Sequence, residues 1–163
     1  MNEAQLHLLT NHLPVMGSLF TVLLMLWGIV RRSDEVQKTA LGAMVLVALS
    51  ALPAYFTGEP AEHVVEHLPG VSEAPIEEHE SMGKFALASA IGLGVVALAG
   101  LILSRGKSVS LAAASIALVA NLFVAGVMGY TAHLGGQIRH SEIRGEGAPA
   151  PTEGETHTER EHE

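Results

Sequence analysis

Four long apolar runs, separated by short polar breaks, dominate the pattern of hydrophobic and polar positions along this chain. The runs cover residues 13–30, 39–56, 85–103 and 109–130. A helix of about 18 or more apolar residues is long enough to cross a bilayer core of about 30 Å. The pattern therefore predicts an all-α membrane protein, a bundle of four transmembrane helices.

The breaks between the runs differ in length and in charge. The first and the third are short and polar, and they predict tight helical hairpins. The second, a loop over residues 57–82, is acidic and carries histidines; residues 59–68 within it predict a short helix on the membrane surface. The chain thus divides into a transmembrane domain, residues 1–140, and an acidic tail, residues 141–163. The tail lacks apolar periodicity, which predicts disorder.

Small residues recur four positions apart in the third and fourth runs. The pairs are Ala88/Gly92, Ala90/Gly94, Ala113/Ala117 and Ala125/Gly129. Such pairs allow helices to approach closely where no hydrophobic force drives association in lipid. Alanine and glycine are also simply common in membrane helices, so any one pair carries little weight, but the set favours a compact bundle.

The basic residues predict how the bundle is oriented. The two short hairpins hold five of the nine Lys and Arg residues: Arg31, Arg32, Lys38, Arg105 and Lys107. Because Lys and Arg concentrate on the cytoplasmic side of multi-pass proteins, we expect the hairpins in the cytoplasm. Both termini and the long loop are then periplasmic. The first run ends in two arginines rather than in a cleavage site, so we expect a retained helix. These features predict a multi-pass protein of the bacterial inner (cell) membrane, with the lipid bilayer as a partner.

Composition limits the chemistry that is open to the chain. It contains no cysteine, which removes disulfides, thiolate metal sites and thiol nucleophiles. The formal net charge is −8 and no strongly basic segment is present, so we expect no nucleic-acid partner. We find no catalytic triad, phosphate loop or nucleophile motif, and we expect no independent catalytic activity. The apolar runs carry no Asp, Glu, Lys, Arg or His and thus no buried ion pair, which argues against a transporter.

All nine histidines fall on the predicted outer side of the membrane or at its outer edge. Three lie at helix ends: His12 opens the first helix, His79 lies in the first turns of the third, and His133 closes the fourth. Their distances along the helices from the cytoplasmic Lys and Arg residues place them in about one layer. Gly83 lies one turn below His79, and Gly129 one turn below His133, where a glycine leaves room for the face of a planar macrocycle. Three imidazoles in one layer above two glycines predict a b-type haem.

The same residues leave two other interpretations open. One is a periplasmic divalent-metal site, for zinc, copper or iron, that serves sensing or delivery. His63 and His67 are four residues apart on the loop helix and share one face, so they would join His12, His79 and His133 as metal ligands. The other is a structural subunit without a cofactor, because histidine is well tolerated at membrane interfaces and titrates near neutrality.

The absence of histidines from the predicted cytoplasmic half of the helices restricts the haem interpretation to one haem on one side. Such a protein is expected to be a periplasmic-side haem b subunit for electron transfer or for anchoring a redox complex. Its expected partners are subunits of that complex or a periplasmic cytochrome, and a homo-oligomer is a further possibility.

The two ends of the helical region resemble those of a group of small four-helix bacterial membrane proteins that share a domain of unknown function. Asn11-His12-Leu13-Pro14-Val15 is similar to the His-Phe-Pro type opening of that group, and residues 131–140, Thr-Ala-His-Leu-Gly-Gly-Gln-Ile-Arg-His, are similar to its closing segment. The resemblance covers about residues 8–144. Since members of the group are sometimes found beside cytochromes, the resemblance implies an inner-membrane protein associated with redox machinery.

Overall fold

The fold is described from a computed structural model that covers residues 2–68, 71 and 73–140. All regular structure in these residues is helical, and the helices are α1 (Glu3–Val30), α2 (Asp34–Phe56), α3 (Gly58–Val65), α4 (Glu73–Leu103) and α5 (Leu111–Arg139). Four helical segments are long and apolar enough to cross a membrane: α1, α2 continued by α3, α4, and α5. The prediction of an all-α bundle with four such helices is therefore confirmed. The predicted tail lies outside the described residues.

The long helices begin at polar capping residues rather than at the first apolar position. Asn2 and Gln5 form a capping box at the start of α1. The Ser33 and Ser110 side chains accept hydrogen bonds from backbone N–H groups at the starts of α2 and α5. Such caps satisfy N–H groups that have no partner within the helix. The expectation that His12 opens the first helix is therefore wrong, because the capping box starts the helix at Glu3.

The four long helices form a square in which each packs against two neighbours. The neighbouring pairs are α1–α2, α2–α4, α4–α5 and α1–α5, and α3 lies against α1. Helices α1 and α4 consequently stand on one diagonal of the square, and α2 and α5 on the other. Side chains from facing helices meet in the core of a bundle, which is where bundles bind their cofactors.

Close helix approaches occur at small residues. A methyl group added at Gly17 would lie 2.8 Å from Cγ2 of Val47, and one added at Gly94 would lie 2.8 Å from Cβ of Ala48. Helix α2 therefore approaches α1 and α4 as closely as glycine allows. The Ala90/Gly94 pair lies at this packed side of α4, whereas Ala88 and Gly92 are exposed on the outer surface.

The outer surface of the bundle is apolar over its central part. Leu23, Leu46, Val95 and Val119 are each 64–67% exposed. Exposed apolar side chains on every long helix favour contact with lipid, because water would hydrate such a surface only at a large free-energy cost.

The two ends of the bundle are built differently. At the hairpin end, defined by residues 31–33 and 104–110, Asp34 accepts a hydrogen bond from the Val109 N–H at 2.6 Å and pairs with Lys38 at 2.6 Å. The Lys38 ammonium also donates to the Lys107 carbonyl at 2.9 Å, so the two hairpins are held together. The open end consists of the start of α1, α3, the start of α4 and the end of α5. All described histidines lie toward this end.

One polar contact crosses the apolar interior. Asn121 of α5 donates from Nδ2 to Thr21 Oγ1 at 2.8 Å and to the Ser18 carbonyl at 3.3 Å, and all three residues are buried. Because α1 and α5 are far apart in sequence, this contact ties the first helix of the bundle to the last.

Candidate cofactor site at the open end

Two histidines from diagonally opposite helices meet at the open end. The rings of His7, on α1, and His79, on α4, have centroids 6.2 Å apart and planes inclined at 83°. Both residues are half-buried. Since α1 and α4 are not neighbours in the square, this pair bridges the diagonal of the bundle. We call it the histidine pair.

His79 is held by α5. Its Nδ1 lies 2.9 Å from the carbonyl oxygen of Thr131. A carbonyl can only accept, so Nδ1 carries the proton and donates, and Nε2 of the neutral ring keeps its lone pair. One turn further along α5, a methyl group at Gly135 would lie 3.0 Å from Cε1 of His79. Glycine at this position therefore provides the room that the imidazole occupies.

His7 is held where α2 passes into α3. Its Nδ1 lies 3.1 Å from Oγ1 of Thr57, and that oxygen is also 2.8 Å from the Pro53 carbonyl. Because the carbonyl can only accept, the hydroxyl proton of Thr57 is directed to it, and the oxygen of Thr57 accepts from Nδ1–H of His7. Thr10 lies beside them, with its hydroxyl oxygen 3.0 Å from that of Thr57.

The arrangement suits two imidazoles that bind one metal centre. Histidines that bind a metal characteristically donate the other ring N–H to a carbonyl or another fixed acceptor, which sets the tautomer and the ring orientation. With a metal–nitrogen distance of about 2 Å, two imidazoles on opposite sides of one iron have ring centroids about 6 Å apart. The 6.2 Å separation of the histidine pair matches this distance, and it equally matches a direct edge-to-face contact of two rings, whose centroids lie about 4.5–7 Å apart.

The number of ligands favours haem over a bare metal ion at this pair. Within residues 2–68, 71 and 73–140, no three His, Cys, Asp or Glu side chains come together as a group that could hold a metal ion. Zinc usually takes three or four protein ligands. Haem iron needs at most two axial ligands from the protein, because the porphyrin supplies the other four.

The structure does not bring the three predicted haem ligands together. His79 belongs to the histidine pair, but His12 and His133 are exposed. Nδ1 of His12 is hydrogen-bonded to the Leu8 carbonyl on its own helix, and Nε2 of His133 lies 3.0 Å from the side-chain nitrogen of Gln137, one turn along α5. Equal height along the helices does not determine which side of each helix a residue occupies.

The two glycines that were predicted to leave room for a haem, Gly83 and Gly129, do not face other packed atoms. Gly83 is half-buried and Gly129 is exposed, and a methyl group at either would meet no atom within 4 Å. The glycine that makes room for an imidazole is Gly135, in the last turns of α5. His7 was missed, although a helix that starts at the Asn2 capping signal would have placed it on α1.

His63 lies on α3 and His67 in the turn after it, because α3 ends at Val65 and the predicted helix over residues 59–68 is shorter than expected. Glu66 Oε1 lies 3.2 Å from Nδ1 of His63 and 3.4 Å from Nδ1 of His67, and all three residues are exposed. A solvent-open cavity of about 550 Å³ adjoins them, with Glu66, His67 and Glu73 among its lining residues. The predicted pair therefore exists, with a carboxylate between its rings, but it is separate from the histidine pair of α1 and α4.

Comparison with family models, with curated proteins and with solved structures found no match to this chain. The resemblance to the group of small four-helix membrane proteins consequently stays a prediction that depends on two short segments.

Proposed function

We propose that this chain is a multi-pass protein of the bacterial inner membrane that binds one haem b at its open end and serves a redox complex as an electron-transfer or anchoring subunit. The observation that carries the proposal is the histidine pair, two half-buried imidazoles from diagonal helices whose Nδ1 atoms are both held by fixed partners. His79 and His7 would hold the haem iron, with His7 in place of the predicted ligands His12 and His133.

The proposed orientation has the hairpin end in the cytoplasm and the open end in the periplasm. The hairpin end exposes Arg31, Arg32, Arg105 and Lys107, and the guanidinium of Arg31 lies 5.5 Å from the centre of the Trp27 ring. Tryptophan concentrates at membrane interfaces, and Lys and Arg concentrate on the cytoplasmic side. This basic end therefore supports a cytoplasmic placement, and it leaves the haem site facing the periplasm.

The residues around the pair have defined roles in this proposal. A bound haem supplies a centre that gains and loses one electron. Thr131 and Thr57 keep each imidazole in the tautomer that presents Nε2, and Gly135 gives His79 its space. Helix α3 packs on α1 through the buried Ala61 and covers the end of the bundle near His7. Because the pair lies at one end only, electrons are exchanged on that side, with a periplasmic cytochrome or with other subunits of the complex.

An absorption spectrum of the detergent-purified protein, expressed with an adequate haem supply, tests the proposal. We expect a Soret band in the wild type that is lost or shifted in His7→Ala and in His79→Ala. His12→Ala and His133→Ala are matched controls. His12 lies on α1, like His7, and His133 lies on the neighbouring α5, and both side chains are exposed. These controls should keep the wild-type spectrum.

Three outcomes would count against the proposal in different ways. Loss of the Soret band in His12→Ala and His133→Ala, with an unchanged spectrum in His7→Ala, would support haem but with the ligands that the sequence predicts. A band that is unchanged in all four variants would mean that other residues hold the haem. A wild type without a Soret band rejects haem binding altogether, and unchanged complex assembly in the four variants would then favour a structural subunit.

A second candidate function has a specific observation in its favour. One oxygen of Glu66 lies 3.2 Å from Nδ1 of His63 and 3.4 Å from Nδ1 of His67, so donor types that zinc or copper accepts adjoin one another, although as placed they do not form a group that could hold an ion. Metal analysis of the purified protein tests this site. We expect stoichiometric zinc or copper in the wild type and its loss in the His63→Ala/His67→Ala double variant, with His12→Ala as the control. A metal-free wild type after purification without chelators rules this function out.

A further inference from the structure

An apolar groove lies on the outer surface between α4 and α5, one helical turn from the histidine pair toward the hairpin end. It has a volume of about 350 Å³ and is lined by Met82, Leu122, Phe123, Gly126, Val127 and Tyr130. This volume falls in the range of small-molecule sites, about 300–1,000 Å³. A methyl group at Gly126 would meet no atom within 4 Å, so this glycine leaves the groove open.

The groove adjoins the proposed haem site along both of its helices. Met82 lies three residues after His79 on α4. Tyr130 directly precedes Thr131, whose carbonyl accepts the hydrogen bond from His79. A ring bound in the groove would therefore lie close to an axial ligand of the proposed haem.

One polar pair stands at the open-end edge of this apolar surface. The hydroxyl of Tyr130 donates to Oε1 of Glu78 at 3.3 Å, and both side chains are exposed. The other lining residues are apolar. The groove thus offers an apolar bed for a ring, a hydrogen-bonding phenol and carboxylate at one edge, and an open side along the outer surface of the bundle.

We propose that this groove binds the head group of an isoprenoid quinol. The ring lies against Met82, Phe123 and Gly126, one ring hydroxyl donates to the Glu78 carboxylate or hydrogen-bonds with Tyr130, and the isoprenoid tail extends into the lipid. The acyl chain of a phospholipid would also fit the apolar bed, and its head group would reach the phenol–carboxylate pair only from the membrane surface, so the test below separates this occupant from a quinol. The inference depends on the proposed haem function for its purpose, although binding itself does not require the haem.

The test measures binding of decylubiquinol to the full-length protein, reconstituted in nanodiscs of phosphatidylethanolamine and phosphatidylglycerol. We expect saturable binding that Gly126→Leu weakens by at least about tenfold, a loss of about 1.4 kcal/mol, because the leucine side chain fills the groove. Tyr130→Phe and Glu78→Gln should weaken binding by several-fold while leaving the groove open. Gly92→Leu is the matched control, since Gly92 is also exposed and also has no atom near an added methyl group.

Several results would overturn the inference. Equal affinities for Gly126→Leu and Gly92→Leu would show that the quinol does not occupy the groove. Unchanged affinity in both Tyr130→Phe and Glu78→Gln would remove the reason to prefer a quinol. Retention of phospholipid at this site, with no saturable quinol binding, would assign the groove to an acyl chain.

The same measurement on haem-free His79→Ala protein separates this inference from the proposed function. Quinol binding that is sensitive to Gly126→Leu, in a protein whose wild type lacks a Soret band, would leave the groove in place and reject the haem. A Soret band in a protein that binds no quinol would do the reverse.

Discussion

Gly135→Ala tests whether the packing around His79 is as tight as the structure indicates. The added methyl group would lie 3.0 Å from Cε1 and 3.3 Å from Nδ1 of the imidazole. Carbon atoms in favourable contact are about 3.5–4.0 Å apart, so the ring has to move by about half an ångström. The hydrogen bond from His79 to the Thr131 carbonyl, now 2.9 Å, opposes that movement.

The expected cost follows from these distances. Inserting a methyl group into a packed position costs about 1–3 kcal/mol, and weakening one hydrogen bond costs about 1 kcal/mol. Replacing glycine by alanine inside a helix offsets up to about 1 kcal/mol of this. We therefore expect Gly135→Ala to lower the free energy of unfolding by about 1–3 kcal/mol. Gly129→Ala, on the same helix with no atom within 4 Å of the added methyl group, should leave stability unchanged or raise it.

Thermal unfolding in detergent, followed by circular dichroism, compares the two variants. A double-mutant cycle with His79→Ala identifies the cause, because Gly135→Ala should cost little once the ring is removed, and contacting residues show such coupling. A Gly135→Ala variant as stable as Gly129→Ala, or equally destabilised with and without His79, would refute the contact between this glycine and the imidazole.

The other predictions concern two further polar contacts between helices, one in the core and one at the hairpin end. Asn121→Leu should change the free energy of unfolding by less than about 1 kcal/mol, because it removes two donated hydrogen bonds but also a buried Oδ1 for which the described residues provide no partner. Asn121→Ala leaves a cavity and should lower the free energy of unfolding by about 2 kcal/mol or more. Equal losses for the two variants in thermal unfolding would contradict this. Asp34→Ala should lower stability measurably, since it removes the acceptor for Val109 N–H and the partner of Lys38. Glu35→Ala, at the exposed neighbouring position, should have a much smaller effect in the same measurement.

The sequence was sufficient to predict the helices but not their inward faces. Length and hydropathy alone identify the four spans, and the spacing of His63 and His67 is enough to predict that they lie together, because i and i+4 positions share a helix face. The inward face of a membrane helix is not marked by polarity. On α4 the buried Ala90 and Leu93 are as apolar as the exposed Ile91 and Val95. Hydrophobic periodicity therefore does not show which face of the helix points into the bundle.

The histidine pair shows the consequence of not knowing which face of a helix points inward. His7 and His12 are five residues apart, which turns them about 140° from one another around α1. One ring faces the diagonal and the other faces outward. Which of the two points inward depends on the packing of α1 against α2 and α5, and this packing is set by close contacts such as that of Gly17 with Val47. A pattern within one helix cannot supply that information.

The position of the pair at one end decides what kind of electron transfer the protein can support. His79 lies 24 residues before the last residue of α4, a height of about 36 Å at 1.5 Å per residue, which is far beyond the reach of direct electron tunnelling. If His7 and His79 hold a haem, as proposed, that haem would exchange electrons only with partners at the open end. In sealed vesicles of known sidedness, a membrane-impermeant reductant such as dithionite should reduce the haem from the open-end side and not from the hairpin side. Since the chain has no cysteine, labelling of Glu59→Cys with an impermeant maleimide reports which side that is. Equal reduction from both sides of intact vesicles would mean that the haem lies elsewhere in the bundle, and the histidine pair would then lose its proposed role.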